Sequence, residues 1–370
     1  MRKQEAFDRH MMQAALTLAK RGLGNVAPNP AVGCILVNQD RHIVGRGWTG
    51  RGGRPHAEVN ALAQAGAAAR GVTAYVTLEP CAHHGQTPPC AEALVNAGLK
   101  RVVVATTDPD SRVNGQGIEI LQKAGIEVET GLCQAEADEV NAGFFSRIHN
   151  KRPLVTVKTA STLDGKIALA NGKSQWITGP ESRARGHLSR ASHDAILTGI
   201  GTVLADDPSL TCRLPGLEDR SPIRVILDRD LRMPLDSALV RTAGEVPVYL
   251  FCAAEEGDKA KELAGAGVEI IPVGLEENGK LSLEQVMTAL AERGITRLLA
   301  EGGAKLNASL FRSSLVDRLL WFRAPSLIGE EGVPSIGALG LDELANMPVM
   351  TPVSAGRSGP DIWEEYRINH

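Results

Sequence analysis

Thr73-Ala74-Tyr75-Val76-Thr77-Leu78-Glu79-Pro80-Cys81 is a β-rich run, Thr73–Leu78, that ends in a proline and a cysteine. Cys90 stands next to a helical pattern over Ala91–Ala97, and a fully apolar strand follows at Val102–Ala105. Strand, helix and strand in one short segment predict an α/β fold, and the pattern continues outward in both directions. Upstream, a helix is expected from Gln4 to Arg21, with Gly22 at the position of a left-handed terminus. Strands are expected at Ala31–Val37 and Ile43–Trp48, and a helix starting at His56. Downstream, Gly117–Ala124 and Ile126–Val128 repeat the helix-then-strand order, and one helix is expected from Gln134 to about His149. Such alternation implies a parallel or mixed sheet with helices on both faces.

The 370 residues suffice for two domains or three. Asn150-Lys151-Arg152-Pro153 ends the first series, so domains of 1–150 and 151–370 are expected. The second series has strands expected at Leu154–Thr159, Ala195–Thr198, Arg224–Leu227, Val248–Cys252, Val268–Ile271, Arg297–Ala300 and Arg318–Phe322. Helices are expected at Glu255–Ala264, Leu283–Glu292 and Lys305–Phe311. Forty basic against forty-three acidic residues leave a net charge of −3, which disfavours a nucleic-acid scaffold but leaves room for a basic pocket. No apolar run reaches the roughly 20 residues of a membrane span. The charged first residues lack a signal-peptide core, so a cytoplasmic enzyme is expected. Six cysteines then read as thiols or metal ligands.

His56-Ala57-Glu58, Pro80-Cys81 and Cys90 carry the chemistry. One nitrogen and two sulfur ligands suit a single zinc ion and leave its fourth tetrahedral position for water. Glu58 then serves as proton shuttle, the division of labour known for zinc nucleobase deaminases. The alternative is a closed zinc knot with His83 or His84 as fourth ligand, which would have no use for a carboxylate beside its histidine. Cys34, Cys133, Cys212 and Cys252 lack mutual ligand spacing and read as small apolar residues. Gly45-Arg46-Gly47-Trp48-Thr49-Gly50 satisfies the dinucleotide pattern G-x-G-x-x-G, but no helix opens directly from it, so it reads as a turn. Gly302-Gly303, between an apolar strand and a helix, is the better phosphate site.

The eight-residue interval between Cys81 and Cys90, the Thr77–Cys81 segment and Pro28-Asn29-Pro30-Ala31-Val32-Gly33 resemble the pyrimidine deaminase domain of bifunctional riboflavin-biosynthesis proteins. Lys158–Lys166, Ser174–Thr178, Thr202–Thr211 and Glu301-Gly302-Gly303 are similar to the reductase half of the same family. The resemblance implies a cytidine-deaminase-like α/β/α domain followed by a dihydrofolate-reductase-like α/β domain. It implies deamination of a diaminopyrimidinone carrying a phosphoribosylamino group, then reduction of the ribosyl group to ribityl with NADPH. Asn29 takes the family's substrate contact in the first site.

In the second site, the resemblance puts NADPH contacts on Ala160, Trp176, Thr202, Asp206, Arg229, Gly303, Ala304, Lys305, Leu306, Asn307, Ala308 and Ser309. It puts substrate contacts on Lys158, Ser174, Thr178, Arg190, Leu210, Arg213 and Glu301. Lys158, Arg190 and Arg213 are suited to a sugar phosphate, and Asp206 or Glu301 to sugar hydroxyls or to the proton that ring opening requires. Two positions depart from the family: Gln86 replaces the usual Lys or Arg, and Thr49 a common His, so Arg51 or Arg54 is expected to compensate at the phosphate. A homo-oligomer, dimer or tetramer, is also implied. The rival readings are a tRNA or single-stranded nucleic-acid deaminase, disfavoured by thin basic and aromatic content, and a zinc-stabilised binding module.

Overall fold

The computed structural model describes residues 2–84, 88–110 and 114–369. It divides into two compact units, Met1–Asn150 and Lys151–His370. In the first, the elements run α1 (Arg2–Ala19), β1 (Gly33–Val37), β2 (Ile43–Trp48), α2 (Ala57–Ala65), β3 (Thr73–Val76), α3 (Cys90–Asn96), β4 (Arg101–Val104), α4 (Gln116–Lys123), β5 (Glu127–Thr130), α5 (Gln134–Val140) and α6 (Ala142–His149). The sheet order is β2-β1-β3-β4-β5, with β1 antiparallel to both neighbours and β3, β4 and β5 parallel.

Alternation along the strands sorts two cores onto two faces. Cys34, Leu36, Val102 and Val104 pack with Ala57, Ala61 and Leu94 of α2 and α3. Ile35, Val37, Val103 and Ala105 pack with Met12, Ala15 and Val140 of α1 and α5. The central strands are apolar at nearly every position because helices cover both faces.

Gly45 and Gly47 owe their place to this packing. A Cβ on Gly47 would lie 2.0 Å from the Ala57 carbonyl oxygen, and one on Gly45 would lie 2.3 Å from that of Ala61. The glycine pattern therefore marks β2 lying directly on the backbone of α2. Gly47→Ala is expected to overpack that contact at a cost of about 1–3 kcal/mol. Calorimetry should show the first unit melting earlier by roughly 2–4 °C per kcal/mol. An unchanged midpoint would mean that strand and helix sit further apart.

Two local expectations are corrected. Gly22 lies in a 3-10 turn, Lys20–Gly22, against Val26 and Ala31, and the left-handed residue is Gly24. The helix expected over 134–149 breaks at Asn141, whose side chain accepts from Ala31 N–H at 2.9 Å and donates to Ala31 C=O at 3.2 Å. That tertiary pairing holds the chain just after Asn29.

The second unit runs β6 (Leu154–Thr162), β7 (Lys166–Ala168), α7 (Pro180–Ala191), β8 (Ala195–Gly199), α8 (Ile200–Asp206), β9 (Ile223–Leu227), α9 (Ala238–Arg241), β10 (Val248–Cys252), α10 (Asp258–Gly265), β11 (Val268–Pro272), α11 (Leu283–Glu292), β12 (Arg297–Ala300), α12 (Ala304–Arg312), β13 (Arg318–Ala324), β14 (Val333–Pro334), β15 (Met350–Ser358) and β16 (Asp361–Ile368). Its sheet order is β11-β10-β9-β8-β12-β6-β13-β16-β15. Strands from β11 to β13 are parallel, and the β15–β16 hairpin closes the edge antiparallel. Helices α11 and α12 supply Val286, Leu290, Leu310 and Phe311 to one core. Val203, Leu239 and Leu263, from α8, α9 and α10, fill the other. No helix among the described residues is long and apolar enough to cross a membrane.

Candidate active sites

At the ends of β1 and β3 in the first unit, His56 caps the start of α2, Cys81 follows β3, and Cys90 is the first residue of α3. His56 Nδ1 lies 3.2 Å from Cys90 Sγ and 3.5 Å from Cys81 Sγ. Among the described residues these three form a group whose ligand atoms all lie within 4.8 Å of one another. His84 points instead toward Glu92 at 3.5 Å and is exposed. The α3 start also helps: the Cys90 N–H donates to Cys81 Sγ at 3.2 Å. A helix N-terminus favours a thiolate.

The Cys90 thiol, hydrogen-bonding to Cys81, lowers the Cys81 pKa to about 4, with His56 adding to the effect against the opposing cost of burial. Cys90 is pushed up by that same hydrogen bond and by burial. Two soft sulfurs and an imidazole nitrogen converging on one point are a donor set that fits zinc. Glu58, 3 % exposed, has its carboxyl raised to about 7 by burial and by the Cys81 charge.

A cavity of about 280 Å³ opens beside these groups, lined by Asn29, Thr49, Arg54, His56, Glu58, Glu79, Cys81, His83, Asp108 and Arg147, among others. Arg54 lines it and Arg51 does not; Gln86 lies outside the described residues. Thr49 is buried, donates to Pro30 C=O at 3.1 Å and accepts from Val32 N–H at 2.9 Å. With Asn141, it clamps the segment carrying Asn29.

Two residues of this lining, Glu79 and Arg147, escaped sequence reasoning, and His83, the possible fourth ligand of a closed knot, lies beside them. Buried Glu79 accepts from the backbone N–H groups of Asp108, Gly115 and Gly117 at 3.3, 2.9 and 3.0 Å, pinning the turn before α4 next to Cys81. The Glu beside Pro80-Cys81 was the available signal. His83 has its Nδ1 buried without a hydrogen-bond partner. Arg147 lines the cavity from α6, the helix that starts after the break at Asn141.

The second unit has two cavities. The first, about 460 Å³, collects Lys158, Ala160, Trp176, Thr178, Arg190, Arg213 and Glu301, together with Arg183, His187 and Phe322. Glu301 is gripped by Arg190, with Nε–Oε1 2.8 Å and Nη2–Oε2 3.0 Å, and by Lys158 at 3.5 Å. Burial pushes its carboxyl up, but Arg190 and Lys158 outweigh that and hold it well below the usual carboxylate range. Glu301 therefore stays ionised and has no proton to give. Four cations, Lys158, Arg183, Arg190 and Arg213, and one carboxylate line the cavity, which leaves it with a surplus of positive charge. Trp176 is 69 % exposed, with the Arg183 guanidinium 4.5 Å from its ring centre.

The other cavity, about 1110 Å³, is lined by Thr202, Arg229, Gly303, Ala304, Lys305, Leu306 and Ser309, among others. Helix α12 begins there without a side-chain cap, so its first N–H groups remain for an anion. A Cβ on Gly303 would meet nothing within 4 Å, whereas one on Gly302 would run into Leu306 at 2.7 Å.

Five expected contacts line neither cavity. Asn307 and Ala308 are buried on the inner face of α12, Asn307 donating to Ser335 C=O at 2.8 Å; helical periodicity turns 303–306, 309 and 312 to the cavity. Leu210 is buried in the core with Ile196 and Val203. Asp206 is exposed at the end of α8, and Ser174 lies half-buried in the 169–179 loop after β7. Arg229 is paired with Asp230 at 2.8 Å and donates to Gly279 C=O at 2.9 Å. All six cysteines are free thiols, and Cys34, Cys133, Cys212 and Cys252 are buried.

Residues 5–106 match the cytidine and deoxycytidylate deaminase zinc-binding region, and residues 153–363 match the RibD C-terminal domain. The chain is 44 % identical over 335 residues to the riboflavin biosynthesis protein RibD of Aquifex aeolicus, covering 90 % of this chain and 91 % of that one. It also resembles a solved structure of Acinetobacter baumannii RibD, with a TM-score of 0.88 at 39 % identity over 99 % of this chain and all of the other. A Thermotoga maritima diaminohydroxyphosphoribosylaminopyrimidine deaminase/5-amino-6-(5-phosphoribosylamino)uracil reductase superposes with a TM-score of 0.87 at 35 % identity, covering 99 % and 100 %.

Proposed function

Because the chain belongs to the RibD family of riboflavin biosynthesis proteins and is a bifunctional deaminase and reductase, we propose the residues that carry each step. The observation that carries the reading is the coexistence of an open His56/Cys81/Cys90 donor set with buried Glu58 in one unit and an uncapped α12 start beside a cationic cavity in the other. The cofactors are zinc and NADPH: zinc supplies an acidified water and NADPH a hydride donor.

His56, Cys81 and Cys90 hold the zinc. Glu58 takes a proton from the attacking water at one carboxylate oxygen and delivers it to the ring nitrogen, then takes the remaining proton of the added hydroxyl and delivers it to the amino group, which leaves as ammonia. Asn29 hydrogen-bonds the pyrimidine from the mouth of the cavity, and Thr49 and Asn141 fix its position. Arg54 and Arg147 supply the positive charge that meets the substrate phosphate.

In the second unit, Gly303 to Leu306 and Thr202 hold the cofactor, while Lys158, Thr178, Arg190 and Arg213 hold the phosphorylated sugar. Glu301 orients Lys158 and Arg190 and accepts from sugar hydroxyls. The proton that ring opening requires therefore comes from elsewhere, and Lys158 is the proton-bearing group beside it. The unbridged cysteines support a reducing, cytoplasmic location, and the near-neutral charge supports small-molecule substrates rather than nucleic acid. A homo-oligomer is part of the same proposal.

The test is incubation with the phosphoribosylamino-diaminopyrimidinone, with and without NADPH. Ammonia should appear without NADPH, and NADPH oxidation should require prior deamination. NADPH oxidation by undeaminated substrate would overturn the order.

Arg213 reaches into the cavity from an exposed position, with Nη1 2.5 Å from Ser209 Oγ. Arg213→Ala removes a charge-assisted contact of about 1.5–3 kcal/mol. It should raise the reductase KM roughly 10- to 200-fold with kcat little changed, nearer the low end for a side chain this exposed. Unchanged kinetics would return Arg213 to the solvated surface.

A further inference from the structure

Lys280 Nζ and an Arg312 guanidinium nitrogen both approach Ser309 Oγ, at 3.5 and 3.3 Å. All three residues line the larger cavity of the second unit. Among the described residues neither cation has a carboxylate partner, in contrast to Arg229, which is paired with Asp230. Two like charges held on one hydroxyl repel each other, and a bound anion would relieve that repulsion. Arg312 also donates to Ala338 C=O at 2.9 Å, so its guanidinium is held in place at the cavity wall.

This cluster stands apart from the α12 start. Ser309 is five residues beyond Ala304, which at about 1.5 Å per residue places it roughly 8 Å along the axis. Phosphates that share a bridging oxygen are too close together to occupy both places. An anion at Ser309 would therefore be a phosphate separate from any bound at the helix start, as the 2′-phosphate of a dinucleotide is separate from its pyrophosphate. We propose that Lys280, Ser309 and Arg312 form the subsite for the 2′-phosphate of NADPH, and that they set the preference for NADPH over NADH. The proposal rests on the NADPH-reductase reading of this unit.

The test measures binding to the full chain by calorimetry, with NADP⁺ against NAD⁺ and adenosine 2′,5′-bisphosphate against 5′-AMP. Wild type should bind the 2′-phosphorylated member of each pair at least tenfold tighter. Lys280→Met should cost the 2′-phosphorylated ligands roughly tenfold or more and leave NAD⁺ and AMP within about twofold. Arg312→Met should do the same, and Lys280→Arg should restore most of the loss. Equal weakening of all four ligands would place the cations on the pyrophosphate and overturn the proposal, as would variants that keep the wild-type preference. A wild type without preference would overturn the NADPH reading as well, so the two failures are distinguishable.

Discussion

Cys81→Ser is expected to lose most of the roughly one zinc per chain and, with it, essentially all ammonia release. Cys81 and Cys90 face one another across a single point with His56, and their helix-start environment favours thiolate. A serine hydroxyl at Cys81 would have to give up a proton of far higher pKa to replace that ligand, and a site left with two good donors binds zinc weakly. Reductase activity on deaminated substrate should survive, because each unit buries cores of its own. Metal content by plasma emission and the two assays run separately would check this. Wild-type zinc in the variant would sink the ligand assignment, and loss of both activities would mean that the units do not fold separately.

Glu58→Gln should separate binding from chemistry. The amide keeps nearly the same shape in a buried position at the first turn of α2, so zinc content should hold. It can neither take nor return a proton, and ammonia release should fall by at least roughly 10²-fold, the low end for general acid–base catalysis. The loss belongs in kcat, because a proton in flight is a feature of the transition state. If the variant kept most of its deaminase rate, Glu58 would be a helix-start residue and nothing more.

Much of the fold was legible because local chemistry and tertiary context agreed. Ile43–Trp48, Val248–Cys252, Arg297–Ala300 and Leu283–Glu292 occupy the residues read from periodicity. The failures have specific causes. The β15–β16 hairpin escaped because β15 is an exposed edge strand in which polar residues sit where alternation should show. The 134–149 helix was read as continuous because nothing local in the sequence shows that the Asn141 side chain pairs with the backbone of Ala31, a residue 110 positions away. The glycine pattern at 45–50 was rightly not read as a cofactor loop. Its actual cause, the approach of β2 to the α2 backbone, could be seen only in three dimensions.

The sequence by itself determined the alternating α/β order and the residue types able to bind zinc and move a proton. Those depend on hydrophobic period, on turn chemistry and on side-chain donors, all carried by residues close together in the chain. Tertiary structure alone decided that Glu301 spends its charge on Arg190 and Lys158, that Asn307, Ala308 and Leu210 turn inward, and that Lys280 meets Arg312 on one hydroxyl. Each of these turns on which face of an element is covered and on which distant charge lies within a few ångströms, and separation along the chain carries no record of either.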